Sequence, residues 1–558
     1  MAALPLLNRF VDLNDALDED DDVLSQLRHP QERDEFLKYL ESHTADVKSL
    51  VCAHLGVSNC HVCVTSIWRS GSFNVCVPVL IPIKECDQGS NTVYVRFPLP
   101  YKLGENRFPG NVDEKLRAEV ATYIWLQEKS PDVPIPILHG FGLPNGQCFT
   151  HPTNAPLLSI VTRAIRRNAL SLLGYPTPCN YVHSGLRSPF KSGYVILSEA
   201  KGKQLYSTWE IHRHDKSYRS RLFRGLARIS ISLNKNPLPR IGSLTLDADG
   251  VISLSNRPLN LHFHKLEDEG IPSGIPRQRT YGSIEPYLSD FLSFQDNRMR
   301  FQPNAIHNRK DAEMQIAALT GLRATMHRFI RTEYRDCPFF LTLTDIHASN
   351  IFVDEHWNVQ TVIDLEWACT QPVEMQLPPY FLTSRAVDQF SDPESVAELD
   401  ALLSEYFDIY AEEEMAQNGC LYQSPIMRHV WQSGSFWYFH AATVPKGMYT
   451  IFNSHVQPLF NKEHCEKRVF DEVFWWHWGV DVKDLVERKL KDKENYSADL
   501  KRAFGVVESI EATEAVEAVE GSIEAAEVVE VVEGSIEAAE VVEVAGGTVK
   551  SEEEICAL

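Results

Sequence analysis

Residues 341–367 read LTLTDIHASNIFVDEHWNVQTVIDLEW, and the order of polar and apolar residues in this stretch decides the fold. Short apolar runs, which are typical of buried strands, alternate with polar loops. Asp345 and Asn350 lie five residues apart in the first loop, and Asp364 follows the apolar runs that come next. Two carboxylates and one amide are therefore presented from loops at strand ends, where side chains can converge on a ligand.

These three side chains have the chemistry that phosphoryl transfer requires. Such a transfer needs one carboxylate to orient the attacking hydroxyl and two oxygen ligands to hold Mg²⁺ on the nucleotide phosphates. Asp345 fits the first role, because a general base must lie within hydrogen-bond reach of the proton it takes. Asn350 and Asp364 offer the oxygen atoms that Mg²⁺ prefers, and the hairpin predicted between them would set both side by side. The spacing is that of a kinase catalytic loop and its magnesium-binding aspartate, although each residue alone is more often an ordinary polar residue of a hairpin.

Two neighbouring polar residues have more than one possible role. His347 either supports the loop from outside the reacting groups or is a structural histidine, which is the interpretation that we favour. Glu366 either contacts a second metal ion or a water molecule, or holds the scaffold by hydrogen bonds. The sequence does not decide between these roles.

A nucleotide site also needs groups that bind phosphates, and the upstream sequence offers candidates. The run RSGSFNVCV at 69–77 predicts a turn between strands, in which backbone amides near Gly71 and Asn74 would face phosphates. A plain hairpin turn is the alternative. Arg96 ends an apolar strand and is the predicted phosphate-binding cation, and Glu119 on the following helix is predicted to hold it in place, as a glutamate does for the corresponding lysine in kinases.

Both members of this predicted ion pair have rivals, and the base of the nucleotide needs its own contact. Lys102 is the rival cation, and Glu114 is the rival carboxylate, although it lies further from the apolar stripe of the helix. The run SEAKGKQL at 198–205 predicts a strand end followed by the start of a helix. The backbone from Glu199 to Lys201 is therefore a candidate hinge that would hydrogen-bond an adenine.

The periodicity along the chain predicts an α+β fold. Residues 1–60 have apolar residues at helical spacing, and residues 61–205 read as strands around one helix, with a polar insertion at 143–191. Residues 206–490 read as mainly helical, and residues 506–558 as an acidic, low-complexity tail without a stable fold. These patterns predict a small mixed β/α N-lobe and a larger helical C-lobe, flanked by an N-terminal helical segment and a disordered tail.

At these residues the chain resembles the aminoglycoside phosphotransferase-like (phosphotransferase enzyme) family, which has a protein-kinase-like fold, and within it the fungal branch. The resemblance covers roughly residues 60–480. It is carried by VRFPLPYKLGE (95–105), GNVDEKLRAEVATYIWLQEKSPDVPIPILHGFG (110–142), IGSLTLDADGVISLSNRPL (241–259) and FLTLTDIHASNIFVDEHWNVQTVIDLEWACTQPVEMQLPPYFLT (340–383). It implies two lobes with ATP and Mg²⁺ in the cleft between them. On it, Asp345 takes the catalytic position, and Asn350 and Asp364 take the metal positions.

The chain departs from the family pattern at three places. The family loop usually reads His-Gly-Asp, whereas Leu343 stands here in the position of the histidine. Arg96 stands in the position of the nucleotide-binding lysine, and arginine also binds phosphate, with a two-pronged geometry. No Ala-Pro-Glu element follows Asp364, which favours a small-molecule acceptor over a protein.

The sequence therefore predicts an ATP- and magnesium-dependent phosphotransferase acting on a hydroxyl of a small molecule. The alternative is a catalytically impaired kinase-like protein that binds nucleotide or a partner, and a protein kinase is a third, weaker reading. The helical region after residue 380 and the insertion at 143–191 are expected to shape the acceptor pocket.

Composition limits the remaining classes. The net charge of −22 argues against binding to nucleic acid or to an anionic membrane surface. From Glu508 onward the chain holds fifteen Glu and one Lys, so about −14 of this charge lies in the tail, where GSIEAAEVVEVVE and GSIEAAEVVEVA repeat and offer a surface for a partner protein. No apolar run is long enough to span a membrane, and the twelve scattered cysteines fit a reduced, cytoplasmic protein.

Overall fold

The computed structural model describes residues 3–82, 92–336, 338–460 and 467–506. Contacts divide the chain after Leu500 into two units, and the elements described below belong to the first, apart from the end of the last helix. The predictions for the acidic tail fall, except for Val506, outside the described residues.

The first 60 residues are mainly helical, as their periodicity predicts. Their elements are the strand pair β1 (Leu4–Pro5) and β2 (Phe10–Val11) and the helices α1 (Leu13–Asp18), α2 (Val23–Gln26), α3 (His29–Ser42) and α4 (Thr44–Leu55). Helix α4 ends at Gly56, whose φ of +63° is the left-handed conformation that glycine adopts at low cost. Leu40 and Val51 from these helices pack against the sheet that follows.

That sheet is antiparallel. Its strands are β3 (His61–Val62), β4 (Arg69–Ser70), β5 (Asn74–Leu80), β6 (Thr92–Pro98), β7 (Leu138–Gly142), β8 (Gln147–Thr150), β9 (Val182–Arg187) and β10 (Tyr194–Ser198). They lie in the order β3–β5–β6–β10–β7–β8–β9, with β4 also paired to β5. Helix α5 (Asn111–Lys129), predicted from its apolar residues, is buried along most of its length.

The alternation of side chains along β6 decides which residues face which neighbour. Val93, Val95 and Phe97 pack with the residues of α3 and α4 in one apolar cluster. Successive residues of a strand point to opposite faces, so Arg96 lies on the other face of the sheet. Asn74 at the start of β5 pairs with Pro98, and Cys76 of the same strand pairs with Arg96.

The segment at 143–191, predicted as an insertion that interrupts the strands, instead extends the sheet. It contains β8, β9 and the helix α6 (Leu157–Leu172). Strand β8 pairs with β7, and β9 pairs with β8. Strand β9 is the edge strand, and its alternation of buried and exposed residues gave the polar composition that concealed it, whereas β8 lies between β7 and β9.

After β10 the chain is largely helical. Its helices are α7 (Trp209–His212), α8 (Lys216–Asn234), α9 (Leu261–Asp268), α10 (Ile284–Phe301), α11 (Arg309–Phe329), α12 (Pro393–Asn418), α13 (Gln423–Gln432), α14 (Ser435–Thr443), α15 (Met448–Ile451), α16 (Gln457–Phe460), α17 (Lys467–Phe474) and α18 (Val482–Ala503). Most of these helices share one large apolar core. The described part of the chain is therefore a mixed α/β structure with an antiparallel sheet and a helical portion, and none of its helices is long and apolar enough to cross a membrane.

Short strands also lie inside the helical portion, and residues 341–367 run through three of them. They are β11 (Lys203–Gln204), β12 (Ser243–Leu246), β13 (Ile252–Asn256), β14 (Phe339–Thr342), β15 (Ile351–Val353), β16 (Val359–Val362) and β17 (Cys369–Pro372). The hairpin predicted between Asn350 and Asp364 is present as β15–β16, and β12 and β13 form a second hairpin. Strand β11 adds to β15, and β14 pairs with β17.

Candidate active site

Three polar residues predicted from spacing are brought to one place by the β15–β16 hairpin. Asp345 lies in the loop between β14 and β15, Asn350 directly precedes β15, and Asp364 follows β16. Because the two strands are antiparallel, the start of one lies beside the end of the other. The N–H of Ile363 donates to the carbonyl of Asn350 over 3.0 Å, so the residue before Asp364 is held against Asn350.

Buried leucines anchor the loop that carries Asp345 and the segment around Asp364. Leu341, Leu343 and Leu365 are buried in the cluster that also contains residues of α5 and the sheet. Asp364 itself has a φ of +61°, a left-handed conformation that few residues other than glycine adopt. Aspartate tolerates it better than most, and the packing of Leu365 on one side and β16 on the other holds it there.

Asn350 orients Asp345 through its side-chain amide. Its Nδ2 donates to the backbone carbonyl of Asp345 over 2.9 Å and lies 3.4 Å from the carboxylate Oδ2. This assigns the nitrogen end of the amide to Asp345 and leaves the Asn350 Oδ1 as the atom that a cation would take. His347 has its Nε2 3.8 Å from Asp345 Oδ1, too far for a hydrogen bond, and its Nδ1 accepts from the N–H of Ser349 at 3.3 Å.

Arg96 lies at the centre of a buried ion network. Its Nη1 is 2.9 Å from Glu119 Oε1, which is the pairing expected between the strand cation and the helix carboxylate. Its Nη2 contacts Asp364 Oδ1 and lies 2.6 Å from Glu366 Oε2. Arg96 is 6 % exposed, so three carboxylates surround a guanidinium that has almost no contact with solvent.

Lys115 is the member of this network that sequence reasoning missed. It is completely buried on α5, one turn before Glu119, and its Nζ lies 2.9 Å from Glu366 Oε2 and 3.6 Å from Glu119 Oε2. It also donates to Asn74 Oδ1 over 2.8 Å. The only signal in the sequence was its spacing of four residues before Glu119, which is also the spacing of many exposed helix pairs.

Glu366 accepts hydrogen bonds from three donors, and this decides between its two predicted roles in favour of a scaffold. Asn74 Nδ2 donates over 2.7 Å, in addition to the contacts of Arg96 and Lys115. Burial raises the pKa of Glu366, but Arg96 and Lys115 outweigh burial and lower this pKa below its usual value. Glu366 is therefore held as a carboxylate at neutral pH.

The pKa of Asp345 is shifted in the opposite direction. Burial, followed by the negative charges of Glu366 and Asp364, raises the pKa of Asp345 to about 7. Within the part of the chain that the structure describes, no lysine or arginine contacts the Asp345 carboxylate, whereas Glu366 contacts both Arg96 and Lys115. Its proton affinity matches neutral pH, which is the condition in which a general base is most effective.

The turn predicted to face phosphates is a closed hairpin. The N–H of Gly71 donates to the carbonyl of Asn74 over 2.8 Å, so this amide is used inside the turn between β4 and β5. The side chain of Asn74 is buried against Lys115 and Glu366. In this turn, the side chain of Asn74 therefore contacts the ion network, whereas the backbone amide of Gly71 is used within the turn.

The rival residues are engaged elsewhere. Lys102 Nζ lies 3.4 Å from His29 Nδ1, beside the N-terminal helices. Glu114 forms a two-pronged ion pair with Arg257, through Oε1 at 2.9 Å and Oε2 at 2.9 Å. Neither rival contacts Arg96, so of the four candidates the structure places only Arg96 and Glu119 together.

The predicted hinge connects β10 to β11. The Oη of Tyr94 lies 3.5 Å from Glu199 Oε1. The N–H of Lys201 donates to Thr361 Oγ1 over 2.9 Å, and the same hydroxyl donates to the carbonyl of Lys201 over 3.1 Å. Thr361 belongs to β16, so this contact ties the predicted hinge to the β15–β16 hairpin. An adenine that used the backbone of Lys201 would compete with Thr361.

The arrangement fits magnesium in one specific way. The described residues contain no cluster of three or more His, Cys, Asp or Glu side chains that would hold a metal alone. Mg²⁺ is usually bound by one or two protein oxygens, with phosphates and waters completing six ligands. Asn350 Oδ1 and Asp364 form such a pair, so their donor set suits a metal that arrives with a nucleotide and does not suit a permanent metal centre.

Comparisons with known proteins leave the family open. The sequence matches no family model, and no curated protein sequence matches it. Among solved structures, the chain is similar to "Structure of the GDP complex of wild-type aminoglycoside 2'-phosphotransferase-IIIa", with 10 % sequence identity and a TM-score of 0.32 over 79 % of this chain and 93 % of that one. A similarity this low carries no argument about the function of this chain.

Proposed function

We propose that this chain is an ATP- and magnesium-dependent phosphotransferase that transfers the γ-phosphate of ATP to a hydroxyl of a small molecule. The observation that supports it most is the convergence of Asp345, Asn350 and Asp364 with the Arg96–Glu119 pair. The two-lobed kinase-like arrangement and the resemblance to the aminoglycoside phosphotransferase-like family, fungal branch, belong to the same proposal.

In the proposed reaction Asp345 acts on the acceptor. The acceptor oxygen forms a bond to the γ-phosphorus while the bond from that phosphorus to the β,γ-bridging oxygen breaks, which releases ADP. The hydroxyl proton passes to the carboxylate of Asp345. The Asn350 amide fixes this carboxylate, so most of its contribution is positioning of the hydroxyl.

Asn350 and Asp364 would hold Mg²⁺, which neutralises charge on the phosphates when it is bound. Arg96 would meet a phosphate through the guanidinium nitrogen that now contacts Asp364. This exchange replaces one oxyanion partner by another, so the buried guanidinium stays neutralised throughout. Glu119 and Glu366 keep Arg96 in place on the other sides.

A second candidate function is nucleotide or partner binding without catalysis. It is favoured by the three carboxylates that already surround Arg96 and by the internal hydrogen bond of the Gly71 amide. In that case the network would serve mainly to hold α5 against the sheet. ATP would stabilise the protein in the presence of Mg²⁺ and no phosphate would be transferred.

The test is transfer of label from γ-labelled ATP in the presence of a small-molecule extract. Wild type is expected to form a labelled product, and Asp345→Asn to reduce its rate about 10³-fold, within the range for loss of a general base. Asp354→Asn is the matched control, because Asp354 lies in the turn of the same hairpin and away from the network. Transfer at the wild-type rate by Asp345→Asn would contradict the proposal, and ATP binding without transfer in every variant would support the second candidate.

A further inference from the structure

A cavity of about 250 Å³ lies beside the loop that carries Asp345, although Asp345 itself does not line it. Thr344 and Ile346, the residues on both sides of Asp345, line it. Tyr380 also lines it, and burial followed by the charge of Asp345 raises the pKa of this tyrosine. The cavity therefore lies next to the carboxylate that would receive a proton from an acceptor.

The walls of this cavity carry no formal charge. Among the described residues that line it, none is Asp, Glu, Lys or Arg. Two histidines contribute, and burial lowers the pKa of His262 to about 4 and that of His440 to about 3. Both imidazoles are therefore neutral at pH 7, and most of the remaining wall is aliphatic or aromatic.

Most of the walls come from residues before 380, and the region after 380, which was predicted to shape an acceptor pocket, supplies Tyr406, Met427, His440, Thr443 and Val444. Helix α8 contributes Leu226 and Leu233, and α14 contributes His440 and Thr443. None of the described residues at 143–191 lines the cavity, so that part of the prediction finds no support here. Leu343 lines it as well, at the position where the resembled family carries a histidine.

Two buried polar atoms in the lining lack hydrogen-bond partners among the described residues. His440 and Gln376 are each 8 % exposed, and the atoms concerned are His440 Nε2 and Gln376 Oε1. The amide nitrogen of Gln376 is already used, because it donates to Asn234 Oδ1 over 2.9 Å. Leaving a buried polar atom unpaired is unfavourable, so a ligand group that pairs with either atom would be bound favourably.

We propose that this cavity binds the acceptor, and that the acceptor is a small, uncharged and largely apolar alcohol whose second polar group pairs with His440 and Gln376. The inference rests on the phosphotransferase function proposed above and adds its substrate class. The volume lies just below the ~300–1,000 Å³ of pockets for drug-sized ligands, which limits the acceptor to a smaller molecule. A polycationic acceptor would place its charges against neutral walls, where an unpaired charge is strongly disfavoured.

The test is binding of three probes that share one skeleton, measured without nucleotide by ligand-observed NMR. They are 2-phenylethanol, 2-phenylethylamine and phenylacetate, which carry a hydroxyl, an ammonium and a carboxylate group. The uncharged alcohol is expected to bind at least tenfold more tightly than either charged probe. Equal or tighter binding of a charged probe would overturn the proposal.

Variants locate the binding. Thr443→Trp fills the cavity and is expected to weaken binding of the alcohol at least tenfold, whereas Thr325→Trp, a half-buried helical threonine outside the cavity, is expected to leave it unchanged. Cooperative thermal unfolding shows whether each variant is folded. If Thr443→Trp does not fold, His440→Leu is expected to weaken binding about tenfold through loss of the Nε2 partner. Wild-type affinity in the folded variants would overturn the location.

Failure of this inference is distinguishable from failure of the phosphotransferase proposal. Label transfer to a charged acceptor, lost in Asp345→Asn, would overturn the substrate class and leave the reaction standing. Absence of any transfer would overturn the reaction, whatever the probes show.

Discussion

Two regions adjoin Asp345, and they treat charge in opposite ways. The ion network places Arg96 and Lys115 among Glu119, Asp364 and Glu366. The nitrogens of Arg96 and Lys115 lie 2.6–3.6 Å from the carboxylate oxygens of Glu119 and Glu366. The cavity, in contrast, is lined by apolar side chains and by neutral polar groups. The two regions therefore differ in charge.

This difference indicates a division of tasks. A network whose cations are already balanced by carboxylates can exchange an oxyanion partner for a phosphate at little cost in desolvation, because the charges are already buried. A cavity without charge can desolvate an alcohol and still exclude ions. The Asp345 carboxyl, whose pKa lies near 7, is placed where a hydroxyl from one region would meet a phosphate from the other.

The largest effect on transfer is expected from replacing Asp364, the proposed magnesium ligand. Asp364→Ala is expected to abolish magnesium-dependent transfer, with a loss of at least about 10³-fold, because phosphoryl transfer depends on charge neutralisation. Calorimetry should show that Mg²⁺ no longer strengthens ATP binding. Asp354→Asn, in the turn of the same hairpin, should keep both properties. Magnesium-dependent transfer by Asp364→Ala would show that the network is purely structural.

A second variant tests whether the cations of the network compensate the charges of its carboxylates. Lys115→Met leaves Glu366 and Glu119 with one cation fewer, and is expected to lower the free energy of unfolding by about 3–5 kcal/mol, the cost of breaking a buried pair. Lys129→Met on the exposed end of the same helix should change it by less than about 0.5 kcal/mol. Urea denaturation measures both.

The double variant Lys115→Met with Glu366→Gln sharpens this test. Removing the negative partner as well should restore part of the lost stability, because the two residues are in contact and their effects are not additive. Strictly additive losses would mean that the two charges do not compensate one another.

On the uncharged side, the pH dependence of stability tests whether His440 is neutral. The pKa of His440 falls from 6.5 to about 3 on folding, so the unfolded chain binds more protons between these values. Stability should therefore fall as the pH falls from 6.5 towards 3, and His440→Leu should remove about 2 kcal/mol of that loss between pH 6.5 and 5. His262, Tyr380 and Tyr406 are the other titratable groups of this wall.

Met427, another residue of the cavity wall, provides the control. Met427→Leu should keep the wild-type dependence of unfolding free energy on pH, because it changes no ionisable group and nearly conserves volume. If the pH dependence of His440→Leu equals that of wild type, His440 is not buried as a neutral group, and the contrast between the two regions weakens.

The last variant makes the cavity wall more polar. Leu343→His introduces the residue typical of the resembled family and is expected to lower the free energy of unfolding by about 1–3 kcal/mol, because a polar ring replaces a buried aliphatic side chain. It should also weaken binding of 2-phenylethanol. Leu343→Met, which nearly conserves volume and polarity, should cost less than about 1.5 kcal/mol and leave binding intact.

Some of this contrast could be predicted from the sequence. The hairpin that carries Asn350 and Asp364 followed from two apolar runs, and the pairing of Arg96 with Glu119 followed from a strand and the helix after it. Lys115 could not be found, because a lysine in a helix is usually exposed and only the packing of α5 shows that it is buried. The hydrogen bond of Gly71 depends on the exact hairpin geometry, which a short motif does not specify.

The cavity was beyond sequence reasoning for a different reason. Its lining runs from Leu226 to Val444, and these residues meet only after several helices have packed together. No local pattern marks a residue as facing a shared space. The region after 380, which was predicted to shape an acceptor pocket, supplies only part of this cavity, and the sequence could not give the lack of charge.

The most direct test of the division of tasks is a charge-fractionated acceptor assay. A small-molecule extract is separated into cationic, anionic and uncharged fractions, and each is incubated with γ-labelled ATP, Mg²⁺ and either wild type or Asp345→Asn. We expect wild type to form a labelled product from the uncharged fraction, and the variant to form it about 10³-fold more slowly. A labelled product formed only from the cationic or anionic fraction, or formed equally by both proteins, would contradict it.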